Sequence, residues 1–307
     1  MITLQDIEAA RNRIAPLIRR TPVLYPTGLK EALPWERLVL KLECLQVTGS
    51  FKARGAMNRV LASKPEELRA GLVTASGGNH GLAVARTAYV TGVPATIFLP
   101  INVSPPKVEK LKEWGASVEI GGANFDEANQ KALAFADQSG ALYVHPYADP
   151  FVVAGQGTLG LDILEDVPDL DVILVAIGGG GLIGGLATAI KNLRPSVRVI
   201  GVEPEGAPTL HASLAAGHVV TLREITTTVA TMAARRTDER LFEIVRRHVS
   251  EVVLISDEAM KEAARWLWFE TGVSADLSGA AAIAALRSGQ LDIPSNARVC
   301  ALICGAG

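Results

Sequence analysis

The chain has 307 residues, 49% of them hydrophobic and 20% charged, enough apolar material for two packed domains at roughly 100–200 residues per domain. Lys and Arg number 30 against 32 Asp and Glu, for a net charge of −2 with neither sign gathered into a block, which excludes a basic nucleic-acid surface and a polybasic membrane anchor. Three cysteines, Cys44, Cys300 and Cys304, are an odd number without CxxC spacing, which excludes a disulfide framework and a zinc cluster and fits a reducing cytoplasm.

The first residues, Met1-Ile-Thr-Leu-Gln-Asp-Ile-Glu8, are amphipathic and acidic early, unlike a basic and then apolar signal peptide, so the protein is expected to stay in the cytoplasm. Helical periodicity runs over 6–19 and is followed, after Thr21-Pro22, by short apolar runs such as Leu38-Val-Leu-Lys-Leu42. Strands are predicted at 72–75, 95–99, 117–120 and 142–144, and helices between them at 81–89, 105–114 and 124–138. This βαβα order predicts a mostly parallel sheet with helices on both faces. Gly, Pro and Asp punctuate 146–157, and a second series then follows: helix 160–164, strand 172–177, helix 182–192, strand 197–202. Without repeats, low-complexity tracts or a disordered linker, the two α/β units should pack tightly, and the cleft between them is the natural ligand site.

The stretch 172–190 is uncharged and as long as a membrane span. Four consecutive glycines interrupt it, with a β-branched run before and an Ala/Leu/Ile-rich pattern after, so it reads as strand, turn and helix, and no membrane partner is expected.

That glycine run, Ile177-Gly-Gly-Gly-Gly-Leu182, lies where bare backbone N–H groups and a helix N-terminus can cradle a phosphate. The bland alternative is a tight turn, but four adjacent glycines carry a large entropic cost. Gly179, Gly181 and Gly184 also satisfy the dinucleotide fingerprint, with Glu203 about twenty residues beyond, where a ribose-binding acid would stand. A nicotinamide-dependent oxidoreductase is therefore the competing reading. It leaves two other segments unexplained.

In Thr48-Gly-Ser-Phe-Lys-Ala-Arg-Gly55 a lysine follows a glycine turn and an aromatic residue. A lysine can form a Schiff base with an aldehyde cofactor once burial lowers its pKa, although most lysines are solvated surface groups. In Ser76-Gly-Gly-Asn-His-Gly81 a small-residue loop between a strand and a helix can bind a carboxylate through N–H groups and offer a side-chain donor; the bland reading is an ordinary turn and cap.

Together the three segments resemble the fold type II pyridoxal-phosphate enzymes, specifically the threonine/serine dehydratase and serine racemase branch. The family's Ser-Phe-Lys-x-Arg-Gly stands at Ser50 to Gly55, its Ser-x-Gly-Asn-His loop at Ser76 to His80 and its tetraglycine loop at Gly178 to Gly181. The likeness continues through His145-Pro-Tyr-Ala-Asp-Pro150, Ala154-Gly-Gln-Gly-Thr158 and Gly201-Val-Glu-Pro-Glu205, so it covers nearly the whole chain.

The resemblance implies a tryptophan synthase β-like α/β architecture of two three-layer αβα domains with mostly parallel sheets: a large cofactor-binding domain from 1–44 and 147–307, and a small substrate-binding domain from 45–146. It implies that Lys52 carries pyridoxal 5′-phosphate and then acts as the base at the substrate α-carbon. Phe51 would pack beside the cofactor ring, Asn79 would contact its 3′-oxygen, and Gly178, Gly179, Gly180, Gly181 and Leu182 would hold its phosphate. Ser76, Gly77 and His80 would bind the substrate carboxylate, and Cys304 would face the pyridine nitrogen. A thiol there makes the ring a weaker electron sink than an aspartate would, favouring direct β-elimination. The expected reaction is dehydration and deamination of L-threonine or L-serine to a 2-oxo acid and ammonia, by a homodimer with a small amino acid as its only other partner.

Departures from the family pattern refine this. Racemases of the branch place a second serine where this chain has Gly77, so racemisation should be minor. Their divalent-cation site would use Glu203, the Ala207 carbonyl and an acid, but the acid's position is Thr209, and no metal ligands are assigned. Ala230-Thr-Met232 replaces the usual Ala-Asp-Gly and Asp276-Leu277 the usual Glu-Pro, which leaves room for threo-3-hydroxyaspartate or a hydroxyectoine-pathway substrate. The chain stops just after Cys304, so feedback regulation through a C-terminal domain is not expected. His145, His211, His218 and His248 lack ligand spacing and read as structural or surface residues. Cys44 and Cys300 read as core, and Trp266 and Trp268 as packing at a domain or subunit contact.

Overall fold

A computed structural model describes residues 1–307. In chain order its elements are α1 (Leu4–Ile14), β1 (Val23–Leu24), β2 (Leu38–Lys41), α2 (Lys52–Leu61), α3 (Pro65–Leu68), β3 (Leu72–Ala75), α4 (Asn79–Thr91), β4 (Ala95–Leu99), α5 (Pro105–Glu113), β5 (Ser117–Ile120), α6 (Phe125–Ser139) and β6 (Leu142–Tyr143). They continue as α7 (Pro150–Asp166), β7 (Val172–Ala176), α8 (Gly181–Leu193), β8 (Arg198–Pro204), α9 (Thr209–Ala216), α10 (Glu239–His248), β9 (Glu251–Ile255), α11 (Asp257–Thr271), α12 (Leu277–Arg287) and β10 (Val299–Leu302).

Two sheets result. One has the order β5-β4-β3-β6 and is parallel throughout; the other has the order β1-β2-β10-β7-β8-β9 and is parallel except for β1 against β2. The fold is the expected α/β architecture with parallel-rich sheets. Strands β2, β7 and β10 are buried along their whole length, as strands covered by helices on both faces must be, and β7 and β10 are unbroken apolar runs instead of alternating ones, while β2 ends in the buried, paired Lys41. The uncharged stretch is β7 followed by α8, and no helix is long and apolar enough to cross a membrane.

Helix α7 is the main difference from the pattern expected of the sequence, a loop at 146–157 and a short helix at 160–164. It runs for 17 residues. Asp149 caps it by accepting the N–H groups of Phe151 at 2.7 Å and Val152 at 3.2 Å, and Pro150 occupies the first helical position, where its missing N–H is harmless. The glycines that read as punctuation are packing contacts. A Cβ on Gly155 would lie 2.7 Å from the Arg54 carbonyl oxygen, one on Gly157 2.9 Å from the Gly185 carbonyl oxygen, and one on Gly160 2.9 Å from Ala189 Cβ. Their absence lets α7 approach α2 and α8 backbone to backbone.

A buried ion cluster ties these layers together. Arg54 of α2 is bonded to both carboxylate oxygens of Glu43, to Asp162 of α7 at 2.8 Å and to Thr158 Oγ1 at 3.1 Å. Glu43 also accepts the Thr21 hydroxyl at 2.8 Å. Cys44 is buried as expected but lies in a 3-10 turn (Glu43–Leu45), not a strand, while Cys300 is buried in β10. Trp266 is buried with its indole N–H donated to the Glu31 carbonyl at 3.0 Å, whereas Trp268 is 66% exposed.

Candidate active site

The chain enters the site through a strained turn. Thr48 has φ 60°, the one non-glycine residue in the left-handed region, and Gly49 follows at φ 78°. Ser50 then pairs with Gly305, and the Phe51 N–H donates to the Cys304 carbonyl at 3.1 Å, so the start of α2 is pinned to the segment after β10. Lys52 is the first residue of α2. Its Nζ donates to the Pro146 carbonyl at 2.7 Å and lies 5.2 Å from the centre of the Phe51 ring. It has no carboxylate partner, and burial lowers its pKa to about 8, opposed by the neighbouring Cys304. An amine so held is a usable nucleophile and base near neutral pH.

Ser76 to Gly78 link β3 to α4, which starts at Asn79. The Gly78 N–H is bonded to Ser76 Oγ at 3.3 Å. The leading N–H groups of α4 have no helical acceptor, which suits them to a carboxylate. A Cβ at Gly77 would meet Leu99 Cδ2 and Val103 Cγ2 at 3.3 Å, with Lys107 Cδ at 3.9 Å. The His80 ring points elsewhere: its Nε2 is 2.9 Å from the Val144 carbonyl, which can only accept, so Nε2 carries the proton. Burial, aided by the Lys52 charge, lowers its pKa to about 3, and the ring is neutral. His80 can thus offer a carboxylate its backbone N–H but no imidazolium.

The tetraglycine loop joins β7 to α8. Gly180 has φ 95°, which favours glycine. A Cβ at Gly178 would lie 2.9 Å from the Thr231 carbonyl oxygen, one at Gly179 would fall into the Tyr147 ring, and one at Gly181 would sit 2.6 Å from the Tyr147 carbonyl oxygen. Leu182, in the first turn of α8, is buried in the main core. The loop is closed on one side by Tyr147 and Thr231, and its N–H groups with the α8 N-terminus are of the kind that suits a phosphate. Thr231 belongs to the Ala230-Thr-Met232 departure, which therefore packs on this loop.

Cys304 lies just past β10, 2% exposed, with Sγ 3.5 Å from the Ser278 carbonyl oxygen. Burial, and then the charge of Asp276, push its thiol far up, so it is neutral. Asn79 donates Nδ2 to Asp276 Oδ2 at 3.0 Å, and its buried Oδ1 has no partner.

Sequence reasoning gives the 145–147 segment no role beyond its likeness to the family. Here it roofs the site: Pro146 holds Lys52, Tyr147 covers Gly179, and His145 Nδ1 accepts the N–H groups of Tyr147 at 3.2 Å and Ala148 at 2.9 Å. Burial, with Lys52 nearby, lowers the His145 pKa to about 4, leaving Nδ1 free to accept. Glu203 does not serve a ribose. It is buried, and its two oxygens accept the N–H groups of Leu210 at 2.8 Å and His211 at 2.9 Å at the start of α9. Thr209 Oγ1 is turned to the Ala234 carbonyl at 2.5 Å.

A half-buried amine without a counter-ion, a glycine cradle ahead of a helix, a neutral thiol and an orphaned amide oxygen define a site that fits an anionic aldehyde cofactor. Residues 14–305 match the family described as pyridoxal-phosphate dependent enzyme, and the chain belongs to it. Among curated relatives, an L-threonine ammonia-lyase of Thermotoga maritima is 41% identical over 95% of this chain and 73% of its own length. A catabolic L-threonine dehydratase of Staphylococcus aureus is 38% identical over 95% and 84%. Among solved structures, a threonine deaminase from T.th. superposes with a TM-score of 0.93 at 38% identity, covering 100% of this chain and 98% of its own. Maize serine racemase gives 0.92 at 34%, covering 99% and 93%. The cofactor is pyridoxal phosphate, and within the family the chain is an enzyme of the ammonia-lyase class that eliminates across the α and β carbons of a small amino acid.

Proposed function

We propose that the substrate is L-threonine or L-serine, released as the 2-oxo acid and ammonia, and that Lys52 is both the cofactor's anchor and the base. The carrying observation is the Lys52 amine, held 2.7 Å from Pro146 O with its pKa lowered to about 8 and no acid beside it. Pyridoxal phosphate, when bound, withdraws electrons from the bonds at the amino acid's α-carbon. The chain's part is to place and protect those bonds. Gly178 to Gly181 and Leu182 would hold the phosphate, Phe51 would flank the ring, Asn79 would face its 3′-oxygen, and Cys304 would meet its nitrogen as an uncharged thiol. Ser76, Gly77 and the N–H of His80 would bind the substrate carboxylate, and Lys52 would take the α-proton. The roof at Pro146 and Tyr147 would keep water from the reacting atoms.

The site draws on two layers, read as domains 1–44 with 147–307 and 45–146; separate buried cores around the two sheets support that division. Three buried, unpaired cysteines support a cytoplasmic location. A homodimer is also proposed, with the exposed aromatic pair Trp268 and Phe269 of α11 as its contact. Trp268→Glu should then give a monomer in sedimentation velocity.

Lys107 favours a second substrate reading. Its stem reaches the Gly77 loop and its ammonium is exposed, a placement that would suit the additional carboxylate of threo-3-hydroxyaspartate. The test is the visible spectrum of the purified protein, followed by keto-acid release from each of the three amino acids. A yellow band absent in Lys52→Ala, with turnover of threonine or serine, is the expected result. Turnover of hydroxyaspartate alone would select the second reading, and a colourless wild-type protein would sink both.

A further inference from the structure

Asp276 stands at the N-cap of α12, between the Asn79 helix and the segment after β10. Its Oδ1 accepts the Ser278 hydroxyl and the Gly279 N–H, both at 2.6 Å, and its own N–H donates to the Gly305 carbonyl at 3.0 Å. Capping is complete without Oδ2. That second oxygen instead accepts the Asn79 amide at 3.0 Å.

A carboxylate here can only accept, so the NH2 end of Asn79 must face Asp276 and the carbonyl end must face away. The carbonyl oxygen, in a residue 6% exposed, has no partner within the protein. An orphaned buried acceptor costs roughly 1–3 kcal/mol, so its retention on a side chain packed against Gly305, the residue after Cys304, marks a place prepared for a ligand. The pair is also clamped: a Cβ on Gly305 would lie 3.0 Å from Asn79 Nδ2 and 3.1 Å from Asp276 Oδ2. The charged and titratable groups around Asp276 are few. Cys304 and Cys44 both feel its charge, Lys52 in turn feels Cys304, and Lys110 donates at 3.4 Å to the carbonyl of Gly307, on which a Cβ would lie 3.6 Å from Asp276 Cβ.

We propose that Asp276 is a positioning residue: it locks the Asn79 amide in one orientation, and its charge sets how readily the 3′-oxygen of bound pyridoxal phosphate gives up its proton. This rests on the reading that Asn79 faces that oxygen. The family's usual glutamate at this position would carry the same charge on a longer arm.

The test titrates the visible absorption of the holoenzyme across neutral and alkaline pH. Wild type must first show a band that Lys52→Ala lacks; if it does not, the cofactor reading fails and this inference falls with it. Given the band, Asp276→Asn, which keeps the capping Oδ1, should move the titration midpoint to lower pH by about one unit, the size of one hydrogen bond to a charged group. The direction follows because a nearby negative charge no longer opposes the anion. Asp276→Glu should restore the midpoint. If Asp276→Asn does not fold, Asp276→Ser keeps a capping hydroxyl and should shift the midpoint the same way. A lowered melting temperature with an unmoved midpoint would reduce Asp276 to a helix cap and overturn the proposal.

Discussion

Gly77 shows how much a single missing side chain decides. A serine there would press its Cβ on Leu99 and Val103 at 3.3 Å, tight enough to require both to yield. Gly77→Ser should therefore lower stability by about 1 kcal/mol, the low end for overpacking. It should also raise racemisation of L-serine above the wild-type level, as followed by chiral chromatography. Lys52 carries a pH prediction. Its amine must be unprotonated to capture an aldehyde, so the rate at which apoprotein takes up pyridoxal phosphate should rise as pH climbs through about 8 and level off above. A rate flat from acid to alkaline pH would contradict the lowered pKa. At this scale the sequence exposed chemistry but not orientation. Lys52 and the four glycines were legible because few structures need such residues so arranged. The turning of His80 to Val144, and the roles of Pro146 and Tyr147, depend on where β6 ends relative to α2, which no local pattern records.

Helix α7 makes the same point for elements. Its glycines satisfy every rule for a loop, and only the neighbouring backbones explain them. Gly155→Ala should cost about 1–3 kcal/mol by overpacking against Arg54, with thermal melting as the check, although alanine is the better intrinsic helix former. The opposite sign would mean that α7 and α2 can separate freely. The Arg54 cluster is equally specific. Arg54→Met leaves Glu43 buried without its partner and should destabilise by about 3–5 kcal/mol, whereas replacing the exposed Arg246, paired only with Glu243 on its own helix, should change little. Strand β7 was readable as an apolar run, whereas β10 was foreshadowed only by the core assignment of Cys300, and the place of neither in the sheet was legible, since a fully buried strand has no polar face to fix its neighbours.

At the scale of the whole molecule, Glu203 couples stability to pH. Burial raises its pKa to about 7 despite two backbone N–H bonds that lower it. A carboxyl with a folded pKa above its unfolded value binds more protons when folded, so its stabilising contribution is complete below about 4.5 and is lost as pH rises toward 7. The melting temperature of Glu203→Gln should lack that decline over the same interval; a parallel decline in both proteins would assign it to another group.

The order of the larger sheet has a consequence for how the protein comes into being. Strand β10, residues 299–302, lies between β2 and β7, which come from distant parts of the chain. During synthesis, β2 and β7 leave the ribosome long before the strand that joins them. Their apolar edges must wait, shielded by chaperones or provisional contacts, until residues 299–302 are made, and such non-local closure is intrinsically slow. The four-stranded sheet, complete by residue 143, faces no such delay. A ribosome-stalled chain lacking β10 should therefore protect residues 72–143 from protease while leaving the larger sheet open to cleavage.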